Sequence, residues 1–168
     1  MCGLLGEFGK NPSSQIKFNS LLKLSENRGP DMAGYYNNLD VKTDQIPFLQ
    51  FGFNRLSILD LTENANQPII SKSSRYVVMC NGEITNYLDL KNEMGLKEED
   101  MRSLSDTEVL CHALDYWGIR ETINRINGMY AIVIYDINNH NIYLIRDPAG
   151  IKPLYFAQTK FGWVFASQ

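Results

Sequence analysis

The first nine residues, Met1-Cys2-Gly3-Leu4-Leu5-Gly6-Glu7-Phe8-Gly9, place a cysteine directly behind the initiator methionine. From Cys2 to Phe8 the run is short and apolar enough for a strand, and its glycines indicate that another segment approaches closely. Two interpretations of Cys2 are open. It is either a small apolar residue at the start of an edge strand or a nucleophile in an active site formed by the start of the chain.

Length and composition predict a single domain over residues 1–168. Hydrophobic residues make up 44% of the chain and charged residues 21%, as in an average globular protein. The formal net charge of −3 and the lack of a Lys/Arg-rich block argue against nucleic acid as the main partner. The sequence has no apolar run of membrane-spanning length and no signal-peptide pattern, so we expect a cytoplasmic protein without a membrane partner.

The three cysteines, Cys2, Cys80 and Cys111, are too few and too far apart for a disulfide framework or a zinc site with paired ligands. No metal is therefore predicted. Cys80 ends an apolar run and Cys111 lies in a helical pattern, so we interpret both as packing residues.

Apolar periodicity and turn signals predict an α+β domain of largely antiparallel sheets covered by helices. One helix follows the turn at 11–14, a second starts at a Ser105/Glu108 capping box and ends at Gly118, and a third lies within 121–126. The apolar face of the first helix is predicted to comprise Ile16, Phe18, Leu21, Leu22 and Leu24. Further strands are predicted at 33–36, 49–54, 75–81, 129–136, 141–146, 154–157 and 162–166.

A nucleophilic cysteine needs a base, and neither histidine fits that role well. His112 lies within the helical pattern and His140 in an Asn-rich turn. Removal of Met1 would expose the α-amino group of Cys2, whose ordinary pKa is roughly 7.7 to 8.0. Such an amine is partly neutral near physiological pH and can accept the thiol proton, directly or through a water.

Seven short motifs occur in an order that resembles the class II glutamine amidotransferase domain, nearest within that family to the N-terminal domain of glutamine-hydrolysing asparagine synthetases. They are Cys2-Gly3-Leu4-Leu5-Gly6, Arg28-Gly29-Pro30-Asp31, Arg55-Leu56-Ser57-Ile58, Asn81-Gly82-Glu83-Ile84, Ser105-Asp106-Thr107-Glu108, Asn127-Gly128-Met129 and the run from Arg146 to Tyr155. Each motif alone is weak, and their order makes chance an unconvincing explanation.

The resemblance implies the N-terminal-nucleophile hydrolase fold, a four-layer αββα sandwich of two antiparallel sheets between helical layers. It also implies that the mature chain begins at Cys2 and hydrolyses L-glutamine to glutamate and ammonia without a cofactor. The ammonia would pass to a synthetase domain or subunit, and a homodimer is left open. Because the sequence ends where such a domain ends, we expect the synthetase on another polypeptide or the chain to be an excised domain.

The resemblance also assigns roles. Asn81 and Gly82 would bind the oxyanion, Arg55 the glutamine carboxylate and Asp106 its ammonium. Glu83 and the rest of the Arg55 motif, Leu56, Ser57 and Ile58, would line the substrate pocket.

Other interpretations of these residues stay open at this stage. Asn81-Gly82 alone favours a hairpin turn, Arg55 a surface cation and Asp106 a helix-terminal charge. The Arg28 motif is scaffold or a gating loop, and Met129 and Tyr130 are expected in the core.

Two departures from the family pattern concern the pocket floor and its periphery rather than the group that would bind the glutamine carboxylate. Phe53-Asn54 stands where the family often has a histidine, and Thr85 where a tyrosine is common.

A non-catalytic module that senses glutamine or mediates an interaction is the alternative function.

Overall fold

The computed structural model describes residues 1–39 and 46–168, and these form two antiparallel sheets flanked by helices. The strands are β1 (Gly3–Gly9), β2 (Met32–Asn37), β3 (Phe48–Arg55), β4 (Ile69–Ile70), β5 (Tyr76–Ile84), β6 (Gly128–Asp136), β7 (Asn141–Arg146), β8 (Tyr155–Thr159) and β9 (Gly162–Ala166). The helices are α1 (Gln15–Lys23), α2 (Tyr87–Glu93) and α3 (Asp106–Arg125).

One sheet has the strand order β2-β3-β1-β9-β8 and the other β4-β5-β6-β7. Apolar side chains from alternate positions of both sheets meet in a shared core that includes Leu4, Phe51, Phe53, Val77, Met79 and Val133. The opening run therefore forms the middle strand of its sheet, between β3 and β9, and not an edge. A Cβ on Gly6 would overlap the ring of Phe165, which explains a glycine within this strand.

Helices cover the outer faces of both sheets. Phe18 and Leu22 of α1 pack against Leu5 on one side, and α2 and α3 pack through residues such as Leu90 and Leu110 on the other. The predicted αββα sandwich is therefore confirmed.

The face predicted for α1 is wider than the face that is buried. Ile16 and Leu24 are 82% and 69% exposed. Phe18 and Leu22 lie one turn apart, and this narrow stripe is the part that reaches the sheet.

The start and the break of α3 follow the sequence signals. Ser105 caps the helix by accepting a 3.1 Å hydrogen bond from the N–H of Glu108. Gly118, with φ of 76°, interrupts the helix where its end is predicted, and the chain then continues helically to Arg125. The capping box is incomplete, because the carboxylate of Glu108 bonds Arg102 and His112 and does not return to Ser105.

Candidate active site

A cavity of about 320 Å³ lies where the start of β1, the end of β3, the end of β5 and the start of α3 converge. Eight of the nine predicted site residues line it: Cys2, Arg55, Leu56, Ile58, Asn81, Gly82, Glu83 and Asp106. Ser57 is the exception, since its hydroxyl is buried without a hydrogen-bond partner in the described chain and is not part of the cavity wall. The fold thus gathers residues that are up to 104 positions apart in sequence.

The half-buried thiol of Cys2 lies against the loop that follows β3. The N–H of Leu56 is 3.4 Å from Sγ, and the carbonyl oxygen of Leu56 is 3.7 Å from it. Burial raises the pKa of the Cys2 thiol, while the Leu56 hydrogen bond and the positive charges of the chain terminus, Arg55 and Lys152 oppose that rise. The thiol is therefore protonated near neutral pH unless a base or a cation assists its ionisation.

Residues of the Arg28 motif form hydrogen bonds with the backbone of Cys2 and Ser57. Arg28 donates from Nε to the carbonyl oxygen of Cys2 at 3.1 Å, and Asp31 accepts a 2.7 Å hydrogen bond from the N–H of Ser57. Two ends of one turn therefore fix the chain start and the loop after β3. These bonds support the scaffold interpretation of the motif.

Arg55 is 5% exposed, which excludes the surface-cation interpretation. Its guanidinium donates to the carbonyl oxygens of Asp60 and Thr62, the latter at 2.9 Å, and contacts Sδ of Met32 at 3.8 Å. These bonds use three of the five N–H donors of the side chain. The other two donors have no acceptor among residues 1–39 and 46–168.

Asn81 and Gly82 lie within β5, which runs on to Ile84, so the predicted strand end at 81 and the hairpin-turn interpretation are both wrong. Gly82 faces Tyr130 of β6 in register. Tyr130 directs its own N–H and C=O toward Asp147, on the side away from β5. Because Gly82 and Tyr130 form a non-hydrogen-bonded pair, the N–H of Gly82 also points away from β6.

At Gly82, the edge of β5 that is not paired with β6 therefore faces the cavity. The strand alternates, so Cys80 and Ile84 direct their N–H groups to the same side as Gly82. The N–H of Cys80 is held by Gln67 at 2.6 Å and that of Ile84 by Asp106 at 2.8 Å. Between them, the N–H of Gly82 has no acceptor in the described ranges, and it is available to a bound molecule.

The glycine itself has a packing reason. A Cβ at position 82 would overlap the carbonyl oxygen of Met129 and lie 2.6 Å from Cα of Tyr130. A glycine at position 82 is therefore required by the close approach of β6. Beside it, Asn81 is 1% exposed, with Nδ2 3.4 Å from the hydroxyl of Ser167.

Two carboxylates, Asp106 and Glu83, line the cavity and lie close enough for their charges to interact. Burial raises the pKa of Asp106, the N–H groups of Ile84 and Thr107, each at 2.8 Å, lower it, and the charge of Glu83 raises it again. Glu83 is exposed on the strand surface. A cavity lined by two carboxylates and a guanidinium is suited to a zwitterion with a carboxylate and an ammonium group.

Sequence reasoning missed several wall residues. Gln67 accepts from the N–H of Cys80 and donates to its carbonyl oxygen at 3.2 Å, so it replaces a strand partner beyond the end of β4. Thr107, Met129 and Lys152 also line the cavity. These three residues lie in motifs of the resemblance, where a lining role was not assigned to them, and no local signal marks Gln67.

The remaining cysteines and histidines lie apart from the reacting groups. Cys80 and Cys111 are buried, and burial raises the pKa of both thiols well above the usual range. Nε2 of His112 lies 3.4 Å from Glu108, and Nδ1 of His140 lies 3.1 Å from the hydroxyl of Tyr135. Neither ring lines the cavity, which leaves Cys2 without a histidine base among the wall residues.

The described part of the chain holds neither a cluster of metal ligands nor a membrane-spanning helix. No group of three or more His, Cys, Asp or Glu residues is arranged to hold a metal ion. None of the helices in residues 1–39 and 46–168 combines the length and the apolar character needed to cross a membrane.

A family model for the glutamine amidotransferase domain matches residues 1–168. The chain is 36% identical over 173 aligned residues to asparagine synthetase [glutamine-hydrolyzing] 1 of Bacillus subtilis, with 100% of this chain and 26% of the relative covered. It is 33% identical over 165 residues to the human glutamine-hydrolyzing asparagine synthetase, with 98% and 28% covered. The chain thus spans about a quarter of the length of these relatives.

Among solved structures, the fold is similar to that of glutamine phosphoribosylpyrophosphate amidotransferase from B. subtilis in complex with ADP and GMP. The TM-score is 0.74 at 22% sequence identity, with 99% of this chain and 42% of the other covered. This likeness confirms the predicted N-terminal-nucleophile hydrolase fold.

Proposed function

The chain belongs to the family of class II glutamine amidotransferase domains, and from this premise we propose that it hydrolyses the side-chain amide of L-glutamine through Cys2. The observation that carries the proposal is the shared cavity. It holds a thiol, an unused strand N–H, a buried guanidinium and a pair of carboxylates.

Recognition of free glutamine follows from the positive and negative side chains that line the cavity. The unused donors of Arg55 bind the α-carboxylate, for which a planar guanidinium is the best-matched group. Asp106 binds the α-ammonium, and the nearby charge of Glu83 strengthens that interaction. Leu56 and Ile58 form apolar wall around the methylene groups of the substrate.

The reaction begins once Met1 is removed. Met1 is 55% exposed, so a processing enzyme has access to it. The free amine of Cys2 then takes the thiol proton, and the sulfur attacks the amide carbon of glutamine. The electron pair of the C=O bond moves to oxygen, where the N–H of Gly82 and the side-chain amide of Asn81 bind the negative charge.

Collapse of this intermediate breaks the C–N bond. The ammonium form of the Cys2 amine returns its proton to the leaving nitrogen, which departs as ammonia, and a thioester remains. Water attacks the thioester, the amine accepts a proton from it, and glutamate leaves as the sulfur is protonated again. Each proton taken by the amine is returned, so the cycle needs no cofactor.

The fate of the ammonia is suggested by the relatives, which are named as glutamine-hydrolyzing asparagine synthetases. We propose that ammonia passes from this domain to a synthetase domain or subunit that amidates an acceptor. Such a partner would close the cavity mouth, since free ammonia is otherwise lost to solvent.

Intact mass and ammonia release together test the hydrolysis. We expect loss of the Met1 mass and glutamine-dependent ammonia release that is abolished by Cys2→Ala. Cys111→Ser is the matched control, because its thiol is buried in α3 away from the cavity. A processed chain that binds glutamine with the partner present, and never releases ammonia, would instead support the non-catalytic sensing module.

A further inference from the structure

Lys152 is a cation of the cavity wall with no role in the mechanism above. It is half-buried, lines the same cavity as Cys2 and makes no ion pair with the carboxylates of residues 1–39 and 46–168. An unpaired ammonium that is partly shielded from bulk water stabilises any negative charge that develops nearby more strongly than it would in water.

The turn after β7 fixes the backbone of Lys152. Its N–H donates to Asp147 at 3.1 Å, and its carbonyl oxygen accepts from Nε of Arg146 at 2.7 Å. Asp147 is 4% exposed and also accepts from the N–H of Ile151 at 2.9 Å. Because this carboxylate is bonded to backbone N–H groups, it holds the turn and leaves the Lys152 ammonium unneutralised.

Two positive and two negative side chains line the cavity that holds Cys2. Arg55 from the end of β3 and Lys152 from the turn are positive, while Glu83 from β5 and Asp106 from α3 are negative. The Cys2 amine itself carries a charge only when protonated.

Two further groups lie close to Cys2 but do not add a free charge to the cavity. Arg28 lies behind the chain start and bonds the Cys2 carbonyl. The buried Cys80 thiol is uncharged, because its pKa is raised by burial.

Bound glutamine changes this balance. Its carboxylate occupies Arg55 and its ammonium binds Asp106, so the substrate adds no net charge and leaves Lys152 as the uncommitted cation of the wall. The amine must also be neutral when it accepts the thiol proton. Once the thiol proton has moved, two positive charges that are not bound to the substrate remain to stabilise the anionic sulfur. They are the Lys152 ammonium and the newly protonated amine of Cys2.

Resting on the proposed function, we infer that Lys152 stabilises the anionic sulfur of Cys2, both in the free cavity and in the glutamine-bound one. The same positive charge opposes the effect of burial on the pKa of the free thiol. Lys152 thus acts by charge alone, without a proton transfer of its own.

The test is the pH dependence of Cys2 alkylation by iodoacetamide, a neutral probe, in protein whose Met1 is shown by mass to be absent. Modification is assigned to Cys2 by peptide mass. Wild type is compared with Lys152→Met, with Lys152→Arg, which keeps the charge, and with Lys160→Met. Lys160 is a matched surface lysine that lies over Phe161, outside the cavity.

We expect Lys152→Met to slow alkylation near neutral pH by roughly three- to tenfold and to move the profile to higher pH. Lys152→Arg and Lys160→Met should follow wild type. In the glutamine assay, kcat of Lys152→Met should fall by a similar factor, with KM changed by less than about twofold.

Unchanged alkylation in Lys152→Met would overturn the inference, as would a rise in KM alone, which would place Lys152 on the substrate carboxylate. The two proposals fail separately. A shifted alkylation profile in a protein that never hydrolyses glutamine contradicts the proposed function and leaves the effect of Lys152 on the thiol intact.

Discussion

The side chain of Arg28 donates from Nε to the carbonyl oxygen of Cys2 at 3.1 Å. The residue that would carry the nucleophile is therefore held by its backbone as well as by the strand that follows it. A terminal residue without such an anchor frays, and its thiol and amine lose their fixed relation to the cavity.

We predict that Arg28→Lys lowers kcat roughly ten- to hundredfold, because a lysine cannot reproduce the directed Nε–H bond and a small displacement of a reacting group is costly. KM should change little, since Arg28 does not line the cavity. Steady-state ammonia release measures both constants. Arg120→Lys, at an exposed position of α3, is the control, and equal activity in the two variants would contradict an anchoring role.

The oxyanion site predicts a loss confined to kcat. Asn81→Ala removes one donor, and we expect kcat to fall roughly a hundred- to thousandfold with KM nearly unchanged. Asn81→Asp should be at least as damaging, because a carboxylate repels the developing charge. Asn92→Ala, on the exposed face of α2, controls for the loss of an amide; an Asn81→Ala enzyme of normal kcat would remove Asn81 from the mechanism.

Much of this site was predictable because its residues sit in short motifs. Cys2, Arg55, Asn81 and Asp106 each belong to a motif of the resemblance, and the fold brings all four to one cavity. The strand pattern likewise predicted β7 at 141–146, and the Ser105 cap predicted the start of α3 at Asp106.

The failures have a common physical origin in tertiary contacts. Asn81-Gly82 has the composition of a turn, but pairing with β6 extends β5 through it. Gln67 substitutes for a missing strand neighbour of Cys80, which depends on where β4 ends and leaves no local pattern. Ser57 contributes its N–H to Asp31 and not its side chain to the cavity, although it belongs to the same motif as Arg55.

Glutamine binding is predicted to weaken in acid. Burial raises the pKa of Asp106 above its ordinary value of 3.8, and an ammonium is bound only by the ionised form. The affinity of Cys2→Ala protein for glutamine, measured by calorimetry, should therefore fall as pH falls through the raised pKa. In Asp106→Asn the affinity should be lower by roughly ten- to a hundredfold and lose this pH dependence.

The same carboxylate affects stability with the opposite sign. Since the folded chain holds the Asp106 proton more tightly than the unfolded chain, its contribution to the free energy of unfolding declines as pH rises between the ordinary and the raised pKa. Denaturant titration of the ligand-free protein should show this decline reduced in Asp106→Asn. Asp89→Asn, at an exposed position of α2, should retain it; identical pH profiles for wild type and Asp106→Asn would contradict the raised pKa.

Asp60 connects the Arg55 loop to the segment before α3. Its carboxylate accepts from the N–H of Leu104 at 2.8 Å, and from the N–H and hydroxyl of Thr62 at 2.8 and 2.7 Å. Its carbonyl oxygen accepts from Arg55. The hydrogen bonds from Thr62 and Leu104 lower the pKa of Asp60.

We predict that Asp60→Asn raises KM for glutamine roughly three- to tenfold with a smaller effect on kcat. An amide has only one acceptor oxygen, so the substitution releases part of the loop that aligns Arg55.

The lowered pKa of Asp60 adds a stability test. Asp60 stabilises the fold above its ordinary pKa of 3.8, and this contribution is lost as pH falls through the lower value in the folded chain. Glu63→Gln is the matched control, since it is an exposed carboxylate of the same loop whose side chain has no hydrogen-bond partner within residues 1–39 and 46–168. If Asp60→Asn and Glu63→Gln give the same KM and the same acid unfolding profile, the link between Asp60 and the arginine is energetically silent.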